Sequence, residues 1–191
     1  MHKRKIIIIC GAPGVGKTTV ANALARDGRT VANIGTMMNE LGSSGKYYVK
    51  SRDRIRYRSM EVNSRLRLNA ARRIRRMHGD VIIDTHASVI AGDHVVSGMP
   101  LNFMKPLAGE VSAIIYLDAS NTELMARRLK DSDRNRQRQS DLEIDRQRDV
   151  NLATLSYYMV TLDIPIYIIN NRENKVKDTV KSCEDVIRDL D

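Results

Sequence analysis

The stretch IIIICGAPGVGKTT, Ile6 to Thr19, decides how the rest of the chain is read. Ile6–Cys10 is an uninterrupted apolar run dominated by a β-branched residue, the pattern of a strand covered on both faces in a parallel sheet. Gly11–Thr18 then satisfies the spacing G-x-x-x-x-G-K-[ST] in full. Glycines at these positions let the backbone turn N–H groups inward, and a helix opening near Gly16 adds its positive end. Gly11, Ala12, Pro13, Gly14, Val15, Gly16, Lys17, Thr18 and Thr19 therefore read as a cradle for the phosphates of a nucleoside triphosphate. Lys17 is the expected cation on the β- and γ-phosphates, and the Thr18 hydroxyl an expected ligand for Mg²⁺.

Downstream, helical spacing runs over 17–26, a second strand over 30–35, and a short helix over 36–41. The polar loop 42–51 leads into a strongly helical stretch, 52–78, that Gly79 ends. Val81–Ile83 reads as a third strand running into Asp84, residues 85–99 as a long loop, and Pro100 as the first turn of a helix. Val111–Leu117 is a fourth strand. Ser120–Glu123 and Ser140–Glu143 are S-x-x-E capping boxes that open helices on either side of the polar, Arg-dense stretch 131–139. Ile164–Ile169 is the fifth strand, and a last helix follows Asn174. Strands alternating with helices predict one α/β domain over 1–191. Its five-stranded parallel sheet would be the middle of three layers, with helices on both faces.

A chain of 191 residues suits one domain, and 42% hydrophobic with 29% charged residues is ordinary for a globular protein. No apolar run approaches the ~18 residues of a membrane span. The basic start Met1–Lys5 is followed only by Ile6–Cys10 before the glycine loop, so a strand rather than a signal peptide is expected, and the cytoplasm as location. Cys10 and Cys183 match no metal-ligand spacing and read as free thiols. The net charge of +9 predicts anionic partners, which admits nucleotides, nucleic acid and acidic membranes alike. With no Trp, one Phe and 4% aromatics, there is little to stack bases on, which argues against a nucleic-acid-binding protein.

Asp84, at the end of an apolar strand, is the candidate carboxylate for the same Mg²⁺; a helix or loop cap is the other use of an Asp there. Ten arginines fall between 52 and 76, and most read as a solvated helix face. Arg52 and Arg56 differ, because they open a helix on the far side of the cradle. Arg134 and Arg136 sit in the polar break between two capped helices, where loop arginines suit a phosphate-clamping lid. Arg127 and Arg128 lie just upstream, where a guanidinium would lie flat on an adenine ring.

Taken together these residues resemble the archaeal-type adenylate kinases over nearly the whole chain. The resemblance is carried by GxPGVGKTT at Gly11–Thr19, N-x-G-x-x-M at Asn33–Met38 and R-D-x-x-R at Arg52–Arg56. I-D-T-H at Ile83–His86, G-x-P at Gly98–Pro100 and R-N-R at Arg134–Arg136 complete it. It implies Mg²⁺-dependent, reversible transfer of the ATP γ-phosphoryl group to AMP, with a helical monophosphate-binding section over about 36–78 and a short lid over about 131–140. It further implies that Gly35, Arg52, Arg56 and His86 face the AMP side. Lys17, Arg127, Arg134, Arg136 and Asn171 would face ATP, and a trimer is an inherited expectation. Acceptors such as CMP, UMP or a non-nucleotide remain alternatives, because Met37 and Met38 serve a core as well as a base pocket.

Overall fold

The structure is a computed structural model that describes residues 4–25, 28–42, 59–91, 94–130 and 140–190. Five parallel strands form its centre: β1 (Ile6–Gly11), β2 (Thr30–Asn33), β3 (Val81–Asp84), β6 (Val111–Asp118) and β7 (Ile166–Asn170). Their order across the sheet is β2-β3-β1-β6-β7. The chain leaves β1 toward β2 and β3 on one side and reaches β6 and β7 on the other. The carboxyl end of β1 is therefore where the strand order reverses, the place where such sheets hold ligands.

Alternation along each strand sorts the core into two layers. Ile6, Ile8, Val81, Ile83, Ile114 and Tyr116 face α2 (Ile34–Leu41), α3 (Met60–Arg75), α4 (Leu101–Met104) and the second half of α6 (Asp141–Leu162). Ile7, Ile9, Ile82, Ile115 and Leu117 face α1 (Lys17–Leu24), α5 (Asn121–Lys130) and α7 (Val176–Arg188). Ile6–Ile9 are at most 1% exposed, and burial of each is worth about 2 kcal/mol. The three-layer arrangement expected from the alternating elements is the one observed.

Several boundaries differ from expectation, among them that of β7, which runs Ile166–Asn170 rather than from Ile164 to Ile169. The second strand stops at Asn33 rather than Gly35, because the Asn33 side chain accepts from Thr36 N at 2.9 Å and starts α2 at Ile34. The long helix breaks off at Arg75, four residues before Gly79, whose φ of +69° turns the chain into β3. The expected loop 85–99 contains an antiparallel hairpin of β4 (Ser88–Ala91) and β5 (His94–Ser97). Its signal was in the sequence: the intervening Gly92-Asp93 is a pair that two-residue hairpin turns favour. Pro100 precedes the helical residues of α4 as its cap. Both capping boxes form; Ser140 and Glu143 satisfy each other at the start of α6, and Ser120 and Glu123 do so before α5. Among the described residues no helix is long and apolar enough to cross a membrane.

Candidate active site

β1 delivers its last residue, Gly11, into the loop that ends at Gly16, the cap of α1. Gly11 takes φ +150°, and a side chain there would collide with the Leu117 carbonyl of β6. Gly16 takes φ +94°, which only glycine adopts freely. Lys17 is 6% exposed and donates from Nζ to the Ala12 carbonyl at 2.9 Å, so its ammonium lies folded over the loop. Thr18 and Thr19 are exposed at the helix start.

β3, hydrogen-bonded alongside β1, brings its terminal Asp84 to the same edge. Asp84 is 3% exposed, and its Oδ2 accepts from Thr18 Oγ1 at 2.7 Å and from Asn33 Nδ2 at 2.7 Å. Asn33 in turn holds the first turn of α2 through Thr36. Asp84 thus caps no helix; it ties the phosphate loop to α2. A hydroxyl and a carboxylate at hydrogen-bond distance are a hard oxygen pair of the kind Mg²⁺ takes, the remaining positions being left to water and phosphate.

α5 and the loop after β7 close the other side. Arg127 donates to the Asn171 carbonyl at 2.8 Å and the Val15 carbonyl at 3.3 Å, and pairs with Glu173 at 3.0 Å. Its neighbour Arg128 donates from Nε to the Pro13 carbonyl at 2.9 Å. Glu123 accepts from the Glu173 backbone N–H at 2.6 Å. Both carboxyls are held below the ordinary glutamate value. For Glu173 the main cause is the Arg127 hydrogen bond; for Glu123 it is the Ser120 hydroxyl, then the Glu173 backbone N–H. Asn171 is 2% exposed, its amide packed under the loop rather than open to solvent. The α5 arginines are therefore fastened to backbone carbonyls of the cradle.

Gly35 falls in the first turn of α2, beside Asn33, while Met37 and Met38 point into the core. His86 lies two residues beyond Asp84, half-buried, on a segment held by Thr85 N to the Ile9 carbonyl at 3.1 Å and Gly98 N to the Ala87 carbonyl at 2.9 Å. Arg52, Arg56, Arg134 and Arg136 lie outside the described residues. The structure thus gathers Lys17, Thr18, Asp84, Asn33, Arg127 and Asn171 around one loop. The roles of Asn33 and Glu173, and the hydrogen bond of Arg128 to the Pro13 carbonyl, do not follow from the sequence reading; only Asn33 carries a local signal, an Asn immediately before a helix.

A parallel sheet in this order with a lysine-threonine phosphate loop at its reversal point defines a P-loop phosphotransferase. Residues 10–145 match the family model described as AAA domain. The chain is 33% identical to an adenylate kinase of Pyrococcus horikoshii, over 89% of this chain and 88% of the relative. It is 32% identical to one of Thermoplasma acidophilum, over 95% and 96%. Among solved structures, shikimate kinase from Bacteroides thetaiotaomicron shares the fold, with a TM-score of 0.62 at 18% identity, over 96% of this chain and 98% of that one. The chain belongs to the adenylate kinase family.

Proposed function

We propose that the protein transfers the γ-phosphoryl group of ATP to AMP, reversibly, giving two ADP. The observation that carries this reading is the Asp84 bridge, in which one carboxylate oxygen joins Thr18 of the donor cradle to Asn33 at the root of α2. α2 opens the stretch, about 36–78, that we assign to the acceptor, with Gly35, Arg52, Arg56 and His86 on the AMP side. Residues 131–140 are assigned as the lid, with Arg134 and Arg136 supplying charge to the transferring group.

Phosphoryl transfer asks for positioning and charge neutralisation rather than covalent chemistry. The attacking atom is a phosphate oxygen already anionic at neutral pH, so no general base is needed. The cradle N–H groups and Lys17 bind the donor phosphates; Lys17 Nζ spends one donor on the Ala12 carbonyl, and its ammonium has two more N–H groups for phosphate oxygens. Thr18 and Asp84 would hold Mg²⁺, which supplies positive charge to the phosphate oxygens. Each well-placed donor or charge of this kind is worth about 3 kcal/mol in the transition state. The cytoplasm is the proposed location, and a homo-oligomer, trimeric by family resemblance, the proposed assembly.

The test is ADP formation from Mg·ATP with AMP, CMP, UMP and no acceptor. Turnover with AMP and little with the others is expected. Turnover only with another acceptor would move the assignment to a different small-molecule kinase. ATP hydrolysis stimulated by RNA without any acceptor turnover would replace it.

A further inference from the structure

Three carbonyls of the phosphate loop accept hydrogen bonds, that of Ala12 from within the loop and those of Pro13 and Val15 from outside it. Ala12 accepts from Lys17 Nζ at 2.9 Å and from Val15 N at 3.2 Å. Pro13 accepts from Arg128 Nε at 2.9 Å. Val15 accepts from Asn171 Nδ2 at 2.7 Å and from Arg127 at 3.3 Å. In a planar trans peptide the carbonyl of one residue and the N–H of the next point in opposite directions. Fixing the Pro13 and Val15 carbonyls outward therefore aims the Gly14 and Gly16 N–H groups inward. Both glycines take positive φ, 90° and 94°, and peptides flanking glycine turn over at little steric cost. Without an external hold, the inward N–H arrangement would be one of several.

Asn171 is built for that hold. It is 2% exposed, and its backbone N–H is tied to the Asp118 carbonyl at 2.8 Å. Its Oδ1 accepts from Thr179 Oγ1 at 2.9 Å, and the Val15 carbonyl can only accept, so the amide nitrogen must face the loop. Gly16 makes the approach feasible, because a Cβ there would come within 2.6 Å of Asn171 Nδ2.

We propose that Asn171, oriented by Thr179, is a positioning residue for the triphosphate cradle: it holds the Val15–Gly16 peptide so that the Gly16 N–H faces the phosphates, and it does not read the base. The proposal rests on the cradle being the ATP site. Its test compares the affinities of inorganic tripolyphosphate, ATP, GTP and AMP for the whole protein by calorimetry, with thermal midpoints alongside. Asn171→Leu is expected to weaken tripolyphosphate, ATP and GTP by a common factor of about ten. The ATP/GTP ratio and AMP affinity should stay as they are. Thr179→Val, which leaves the amide in place but unoriented, should weaken the same three by about threefold. An unchanged tripolyphosphate affinity with a reduced ATP/GTP ratio would make Asn171 a base-reading residue and overturn the proposal. A lowered midpoint with all affinities unchanged would also overturn it, as a purely structural role. If Asn171→Leu does not fold, Thr179→Val decides on the same criteria. Absence of ATP and tripolyphosphate binding in the unsubstituted protein would instead remove the cradle reading itself.

Discussion

Replacing Asn151 with alanine is expected to destabilise the fold by about 4 kcal/mol while leaving the phosphate loop untouched. Asn151 is fully buried on α6 and 0% exposed. Its Oδ1 accepts from Ser88 N at 3.1 Å and from Ser88 Oγ at 2.6 Å, and its Nδ2 lies 3.5 Å from the Tyr116 hydroxyl. One side chain thus joins α6 to the first residue of the β4–β5 hairpin and to the central sheet. Alanine would leave the Ser88 N–H buried with nothing to donate to, which costs about 2 kcal/mol. The Ser88 hydroxyl can rotate and loses about 1 kcal/mol, and the space vacated by the amide adds about 1 kcal/mol more. For a chain of this length, that lowers the thermal midpoint by about 10 °C, measurable by circular dichroism. Ser88→Ala should cost about 1 kcal/mol in the native background and close to nothing in the Asn151→Ala background, because the partner is already gone. A midpoint within about 3 °C of the unsubstituted protein would refute the reasoning, since it would mean that Ser88 finds water or another partner at no cost.

Lys17→Ala is expected to lower ADP formation from ATP and AMP by at least about a hundredfold with the thermal midpoint nearly unchanged; normal turnover would remove the cradle as the donor site. Arg134→Ala should reduce turnover by a similar order at unaltered stability, and unaltered turnover in a folded variant would remove its clamp role. Burial pushes both thiols, Cys10 and Cys183, up to about 12, so almost no thiolate is present at pH 8. A disulfide-exchange reagent should therefore find no fast thiol in the native protein and two after denaturation. The Glu173 carboxyl is held below its ordinary value chiefly by the Arg127 hydrogen bond, so its contribution to stability is complete above the ordinary carboxylate range. That contribution is lost as pH falls through the lower, folded-state value. The midpoint difference between the native protein and Glu173→Gln should accordingly be constant from neutral pH down to that range and vanish below it. A difference that grew on acidification would contradict this sign.

Much of the fold was legible because its signals are local. A continuous isoleucine run marks a strand buried on both sides, and Ser140 with Glu143 marks a helix start whose two hydrogen bonds span three residues. The β4–β5 hairpin was missed because its strands are four residues each, with the apolar residues of each in one unbroken run, so no period of two stands out. The two extra residues expected in the second strand, Ile34 and Gly35, belong to α2, since a strand and a helix compete at Asn33 and the side-chain cap decides.

The site divides along the same line. The sequence alone determined the cradle, because glycine freedom, a lysine and a hydroxyl at fixed spacing act through neighbouring backbone. It also singled out Asp84, because an acid closing an apolar strand lies at the sheet's carboxyl edge wherever that strand is placed. Only the tertiary structure decided what surrounds the cradle. Asp84 reaches Thr18 across 66 residues, Arg128 reaches Pro13 across 115, and Asn171 reaches Val15 across 156. Those contacts depend on β1 lying between β3 and β6, with the β7–α7 loop folding back over the carboxyl edge. Strand order is set by the packing of two core layers and not by any local pattern. The chemistry of the loop was therefore written in one stretch of sequence, and the orientation of its peptides in the fold.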